Sequence, residues 1–369
     1  MQGVRHRGRG VDDTVRIGII GLGEVAHVHL AALPIVAGAQ LVAVCDARSG
    51  VVEKVAQQTG ARGYVDAAAM VGDGGLDLVM ILTPAATHRM LVELVARAGI
   101  DVFCEKPIAV NLEDAKAIVE VCDQTGIRCF YGSTYRYLPA VRSARELIKN
   151  GAIGKAQLMS EIVVSGHGLE GYVPLPFSHY PEGGPGGPGM SLIDHGVHLV
   201  DIFGWLLDEK PQSIIGHGLK SGQPAGTEFL IANYPSGAIG HLLYNNATFP
   251  TSLPNEGIFA GGAGWGNDGQ YVPAGGWIND PGSISVWGTS GSLRIFHYAN
   301  ALFMNTGKGS QRVETPGLAP PGHFSAQLTA CVQTIREGGM PAVTARDGLV
   351  ALSVVLAAGD ADKGIDPFG

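Results

Sequence analysis

Residues 15–26 read VRIGIIGLGEVA, a short apolar, β-branched run that enters a helical pattern through the turn Gly21-Leu22-Gly23-Glu24-Val25-Ala26. This junction constrains the fold more than any other stretch. Gly21 permits a tight turn, Gly23 lacks the side chain that would hold a pyrophosphate away, and Ala26 is small enough for helix and sheet to pack closely. The helix that starts at Glu24 and Val25 offers free N–H groups to phosphate oxygens. G-x-G-x-x-A alone is a weak signal, because glycine turns are common. Its context strengthens it. A second apolar run, AQLVAVCD, ends at Asp46, twenty residues after Ala26. An acidic group there accepts hydrogen bonds from a ribose 2′-hydroxyl and repels a 2′-phosphate, which favours NAD over NADP. Arg48 tolerates a 2′-phosphate and leaves NADP open, and Asp46 is also placed to cap the helix that DARSG introduces.

The alternation then continues. LDLVMILT (76–83) reads as a strand, THRMLVELVARAG (87–99) as a helix and DVFCEKP (101–107) as a strand. NLEDAKAIVEVCDQTG (111–126) is a helix capped by Asn111, and RCFYGSTYR (128–136) is a further strand. Strand–helix units of this length predict a doubly wound parallel sheet, an α/β dinucleotide-binding domain over 1–136 with a mobile tail at 1–13. Ligands of such sheets bind beyond the carboxyl ends of the strands, where Thr83-Pro84, Glu105-Lys106-Pro107 and Tyr135-Arg136 fall.

Composition narrows the function classes. A net charge of −8 gives no electrostatic footprint for nucleic acid. No segment approaches the roughly 18 uninterrupted apolar residues of a membrane span. The basic start MQGVRHRGRGVDD lacks the apolar stretch and cleavage site of a signal peptide. Five cysteines without a CxxC pair read as buried free thiols in a reducing cytoplasm.

From about 137 the texture changes, and residues 137–369 are expected to form a second α/β domain. A hairpin is predicted within 228–247, turning at Pro235-Ser236-Gly237, and another turn at Thr289-Ser290-Gly291. Late helices are expected over 323–337 and 345–358, packing near the domain boundary. The segment LIDHGVHLVD (192–201) sets Asp194, His195, His198 and Asp201 among apolar residues. Asp194 and His198 lie four apart, on one face of a helix. Asp194 also suits a helix cap, and Asp201 suits pairing within the helix. A metal site from His195, His198 and Asp201 is disfavoured for want of nearby His or Cys partners, so no metal is expected. The stretches 166–189 and 249–282 carry His167, Tyr172, His179, Tyr180, Trp265, Tyr271 and Trp277. Loops this long are usually functional or disordered. A carbohydrate lid and an oligomer interface are both open readings.

The order of GLGEVA, LTPAATH (82–88), CEKP (104–107), YRYLP (135–139), GAIGK (151–155), DHGVHLVD (194–201) and WGTSGSL (287–293) resembles the Gfo/Idh/MocA family, over nearly the whole chain. The resemblance implies a Rossmann domain followed by an α/β domain with an open, mostly antiparallel sheet. It implies NAD(P)-dependent oxidation or reduction of a sugar, sugar acid or cyclitol by a cytoplasmic homodimer or homotetramer. Lys106 then matches the catalytic lysine, and Asp194 and His198 the Asp-x-x-x-His pair facing it. Gly21, Gly23, Glu24, Val25, Asp46, Arg48, Thr83, Pro84, His88, Glu105, Lys106 and Arg136 are expected at the cofactor. Tyr135, His167, His179, Tyr180, His195, Trp265 and Trp277 are expected at the substrate. His195 stands where relatives more usually carry an apolar residue. The chemistry agrees with these roles: removing hydride from a carbinol carbon needs an acceptor for the hydroxyl proton, and imidazole suits that near neutral pH. Two other readings remain open: a glycosidase or lyase that oxidises its sugar transiently with no net NADH, and a non-catalytic NAD- or sugar-responsive binding protein.

Overall fold

Four of the six strands in the first sheet have buried residues that run almost without interruption, the pattern of a parallel sheet covered on both faces. In the computed structural model, residues 14–164, 192–217, 227–245, 283–297, 299–317 and 321–360 are described. The strands are β1 (Val15–Ile20), β2 (Ala39–Cys45), β3 (Arg62–Tyr64), β4 (Leu78–Ile81), β5 (Asp101–Cys104) and β6 (Cys129–Tyr131). They lie side by side in the order β3-β2-β1-β4-β5-β6. Every neighbouring pair is parallel. Between them run α1 (Glu24–Ala32), α2 (Ser49–Thr59), α3 (Ala67–Gly72), α4 (His88–Arg97) and α5 (Leu112–Thr125). This is the doubly wound sheet expected from the alternation. Strand β3 and helix α3 were not anticipated; both are short, and AAAM at 67–70 carries little periodicity.

The strand predicted over 128–136 stops at Tyr131, and Thr134–Tyr137 forms a 3₁₀ turn instead. The cause is local. Gly132 N–H still bonds the Cys104 carbonyl at 2.8 Å, and the chain then turns on itself, with Ser133 N–H bonding the Tyr131 carbonyl at 2.8 Å and Thr134 N–H the Gly132 carbonyl at 3.0 Å.

The chain divides into two compact units, Met1–Thr134 with Leu318–Leu352, and Tyr135–Gly317 with Ser353–Gly369. The second contains α6 (Pro139–Lys149), β7 (Ala156–Val164), α7 (Val197–Leu207), β8 (Ser213–His217), β9 (Thr227–Asn233) and β10 (Ile239–Asn245), then β11 (Ile284–Gly288), β12 (Gly291–Phe296), β13 (Ala301–Thr306) and β14 (Gly309–Val313). Its eight strands are ordered β14-β13-β12-β11-β7-β10-β9-β8. Among the described strands of this sheet, only β7 and β10 pair in parallel. The two anticipated turns join β9 to β10 and β11 to β12 as antiparallel hairpins. Leu158, Ile215, Ile239 and Trp287 lie exposed on strands of this sheet.

Helices α8 (His323–Glu337) and α9 (Ala345–Asp360) end the described chain. Whereas the sequence assigned 137–369 to the second domain as a block, residues 318–352 return to the first unit. Arg128 shows why. Its Nε donates to Asp101 at 2.8 Å and its Nη1 to the Thr334 carbonyl of α8 at 3.1 Å. Gln327 donates to the Tyr131 carbonyl, and Tyr131 N–H to the Val343 carbonyl. All five cysteines are buried and free. No described helix is long and apolar enough to cross a membrane.

Candidate active site

At the end of β1 the chain turns at Gly21 with φ +94°, the left-handed region that favours glycine. A Cβ there would lie 2.8 Å from the Leu82 carbonyl group, so the position is closed to other residues on two counts. Gly23 caps α1, and a Cβ on it would meet nothing within 4 Å. The space over the helix N-terminus is therefore open, and a side chain at 23 would project into it. Glu24 and Val25 form the first turn beneath. Asp46 ends β2 and holds this turn in place. Its Oδ2 accepts the Leu22 N–H at 2.9 Å, while Oδ1 accepts the Arg48 N–H at 3.0 Å and Arg48 Nε at 2.9 Å. The Arg48 guanidinium, with help from those backbone donors and against the cost of burial, lowers the Asp46 carboxyl to about 2. Helix α2 takes Arg48, not Asp46, as its N-cap. These residues fit a dinucleotide: a glycine turn open above a helix N-terminus, with an ionised carboxylate twenty residues beyond Ala26.

The neighbouring strand ends are fixed from behind. His88 is fully buried between the Thr83 carbonyl, 2.9 Å from Nε2, and the Ile108 carbonyl, 3.3 Å from Nδ1. Burial lowers its pKa, so it serves as a neutral brace of Thr83-Pro84 rather than as a charge. Thr83 also accepts the Thr87 hydroxyl at 2.7 Å. Glu105 is buried, with Oε2 accepting the Lys106 N–H at 2.8 Å and Oε1 3.1 Å from His29 Nε2. The Lys106–Pro107 peptide is cis. Lys106 is thus presented on a backbone held by Glu105. His29, on α1, was missed from sequence. Its signal was a histidine on the buried face of an otherwise ordinary helix, where burial is 1% exposed.

The second unit gathers a different set. Leu192–Gly196 is wound as a π-helical turn that leads into α7. Such turns recur at functional sites. Gly196 caps α7 without a side-chain bond, so Asp194 is not spent as its cap. Asp194, His195, His198 and Asp201 are all buried. Asp201 pairs outside its helix, with Arg136, whose Nε donates to Oδ2 at 2.8 Å and whose Nη2 bonds Oδ1. Arg136, expected at the cofactor, commits its guanidinium to that pair and lies 5.8 Å from the Trp205 ring. The Tyr135 ring stacks on His198 at 4.0 Å between centroids, the ring planes nearly parallel, and its hydroxyl is 3.4 Å from His195 Nδ1. Tyr135, His195 and His198 are therefore brought together.

Around them stand residues the sequence did not single out. Glu161 on β7, Tyr244 on β10 and Glu228 on β9 share one face of the sheet, set by the pairing of Tyr244 with Val163 and with Glu228. Tyr244 donates its hydroxyl to Glu161 Oε2 at 2.8 Å, and His195 Nε2 lies 3.0 Å from the same oxygen. Glu228 Oε2 accepts the Leu192 N–H at 2.6 Å and so anchors the start of the π-turn. The two buried glutamates titrate oppositely. Burial raises Glu228 to about 7, whereas at Glu161 the same burial is outweighed by His195 and His297, and the carboxyl is lowered. His167, His179, Tyr180, Trp265 and Trp277, with Tyr172 and Tyr271, lie outside the described residues.

Residues 15–133 match the family model described as "Oxidoreductase family, NAD-binding Rossmann fold". Residues 141–294 match the Gfo/Idh/MocA C-terminal domain. Along nearly its full length the chain is 28% identical to a scyllo-inositol 2-dehydrogenase (NAD(+)) of Bacillus subtilis, covering 94% of each. It is 41% identical to a D-apiose dehydrogenase of Paraburkholderia graminis over 37% of this chain, a stretch spanning 36% of that protein's length. In fold it is similar to an oxidoreductase domain protein from Kribbella flavida, with a TM-score of 0.77 at 21% identity, covering 95% of this chain and 97% of the other. These relatives are named as dehydrogenases and an oxidoreductase, and the readings as a redox-assisted glycosidase or as a non-catalytic sensor gain no support from them.

Proposed function

Because the chain belongs to the Gfo/Idh/MocA oxidoreductase family, we propose that it is an NAD-dependent dehydrogenase of a cyclitol or sugar, acting at a secondary carbinol carbon. The observation that carries the reading is the glycine turn pinned by Asp46 beside the fixed Glu105-Lys106 strand end. The full-length match to an inositol dehydrogenase supports a polyhydroxylated ring as substrate. Bound on this turn, NAD supplies the hydride acceptor. Gly21 and Gly23 would leave room for its phosphates, the α1 N-terminus would bind them, and Asp46 would accept from the ribose hydroxyls in place of the exposed Arg48 side chain that now occupies it.

The chain's own acid–base groups are Lys106, Asp194 and His198. His198 accepts the hydroxyl proton through its imidazole, in a ring orientation set by the stack with Tyr135. Lys106 donates a hydrogen bond that orients the hydroxyl, and Asp194 stabilises the charge that develops on His198. The test is NADH formation, followed at its absorbance band, with inositols, free sugars, sugar acids and polyols. Lys106→Ala and His198→Ala should each lower kcat by about 10²–10⁴-fold while NAD binding persists. Full turnover in either variant would remove that residue from the chemistry. Absence of NADH with every polyol and sugar would overturn the dehydrogenase.

A further inference from the structure

The polar cluster inside the second sheet holds a feature that hydride transfer does not call for. Glu161 comes from β7, His195 from the π-turn and His297 from the residue after β12. One donor atom from each, a carboxylate oxygen and two imidazole nitrogens, lies within 4.8 Å of the others. The three side chains are between 0 and 4% exposed. His195 Nε2 sits 3.0 Å from Glu161 Oε2, an ion-pair contact poorly aligned for a hydrogen bond. That oxygen already accepts the Tyr244 hydroxyl. Glu161 Oε1 makes no hydrogen bond, and His297 Nε2 is 3.8 Å away, beyond hydrogen-bond reach. A buried acceptor such as Glu161 Oε1 left without a hydrogen bond costs about 1–3 kcal/mol, which a bound cation would offset. Ligands of one cation stand close and unaligned in this way, their lone pairs aimed at a third point instead of at each other. Two atoms bonded at about 2.0–2.1 Å to a tetrahedral metal stand roughly 3.3 Å apart.

We propose that Glu161, His195 and His297 form a site for a divalent transition metal, with Zn²⁺ the ion the donor set suits best. Two imidazoles and one carboxylate are a zinc set, with a fourth position left over. Calcium and magnesium take oxygen ligands, and the absence of a thiolate from the trio argues against copper(I). Outer partners are present as well: the Tyr244 hydroxyl orients Glu161, and Tyr135 next to Nδ1 of His195 leaves Nε2 to the ion. The ion fixes the His195 ring and, through Tyr135, the ring of His198 stacked on it. The site does not depend on the redox reading.

Untagged full-length protein, stripped with a chelator and dialysed metal-free, is titrated with ZnCl₂ and with CoCl₂. The site predicts about one Zn²⁺ per chain after gel filtration, the visible absorption of a four- or five-coordinate Co²⁺ adduct, and a Tm that rises with Zn²⁺. Glu161→Gln and His297→Gln should each weaken Zn²⁺ binding by more than the roughly 10–100-fold typical of an outer partner. X-ray absorption of the zinc-loaded wild type supplies a reading free of variant folding: two imidazoles support the site, and fewer overturn it. Retention below about a tenth of an equivalent, with no Co²⁺ spectrum, overturns it in favour of a buried Glu–His ion pair. Stoichiometric binding that survives both substitutions overturns it as well, placing the ion on other residues.

Discussion

The two sheets handle polar groups in opposite ways. In the six-stranded sheet the strand interiors are apolar, and charge appears at their ends: Asp46 after β2, Glu105 after β5, Asp101 at the start of β5 against Arg128 before β6. In the eight-stranded sheet Glu161, Tyr244 and Glu228 sit within strands, on a buried face, with His195, His198 and His297 close by. A parallel sheet covered on both faces has nowhere else to put chemistry than its rims. An antiparallel sheet covered by helices on one face can carry polar groups inside, provided they satisfy one another. The difference predicts that the second unit's stability should respond more to loss of a partner and to pH, and the first unit's function more to backbone shape.

The sharpest way to break that contrast is Asp201→Leu. It leaves the Arg136 guanidinium buried without its carboxylate, and the expected loss is about 3–5 kcal/mol, read from urea denaturation. A loss below about 1 kcal/mol would mean the pair behaves like a surface one. Next comes Glu228. Its folded pKa, about 7 against an ordinary 4.5, means the native state keeps a proton that the unfolded chain releases between those values. Stability should therefore fall as pH rises through that window, by on the order of 2–4 kcal/mol, and level off above about 7. Glu228→Gln keeps an acceptor for Leu192 N–H and should flatten this slope; an unchanged slope would assign it to another group.

In the first unit, Gly21→Ala should cost about 2 kcal/mol through the positive φ, and should weaken NAD binding further because the Cβ meets Leu82. Isothermal titration with NAD checks it, and unchanged affinity would remove the turn from the nucleotide site. The smallest effect is at Asp46. Its carboxyl, lowered to about 2, contributes stability that is present above pH 4 and lost as pH falls towards 2. Arg48 is solvent-exposed, so the contribution is at most about 1 kcal/mol. Asp46→Ala should matter more for choice of cofactor, raising NADP relative to NAD in a competition titration; an unaltered ratio would leave Asp46 as a brace of the Gly21 turn alone.

The first unit was legible because its information is local. GLGEVA, the apolar runs and the cap at Asn111 each determine their neighbourhood, and the parallel pairing follows from the alternation. Asp46 stands out in sequence as the acid that ends the second apolar run, yet its bond to Leu22 N–H is a contact across 24 residues that spacing does not reveal. Reading Asp201 as an intrahelical partner failed for the same reason, since Arg136 lies 65 residues away in sequence.

What the sequence determined by itself is the pair of α/β units, the glycine turn and the chemical character of DHGVH. What only the tertiary structure decided is the company that segment keeps. Glu161 reads in LMSEIVV as one of two adjacent polar residues in an apolar strand, and His297 as an unremarkable residue after a hairpin. Their meeting with His195 depends on sheet register and on a π-turn, which are settled by packing over more than a hundred residues. Hydrophobic periodicity carries the direction a side chain faces; it carries nothing about which distant side chain will face it.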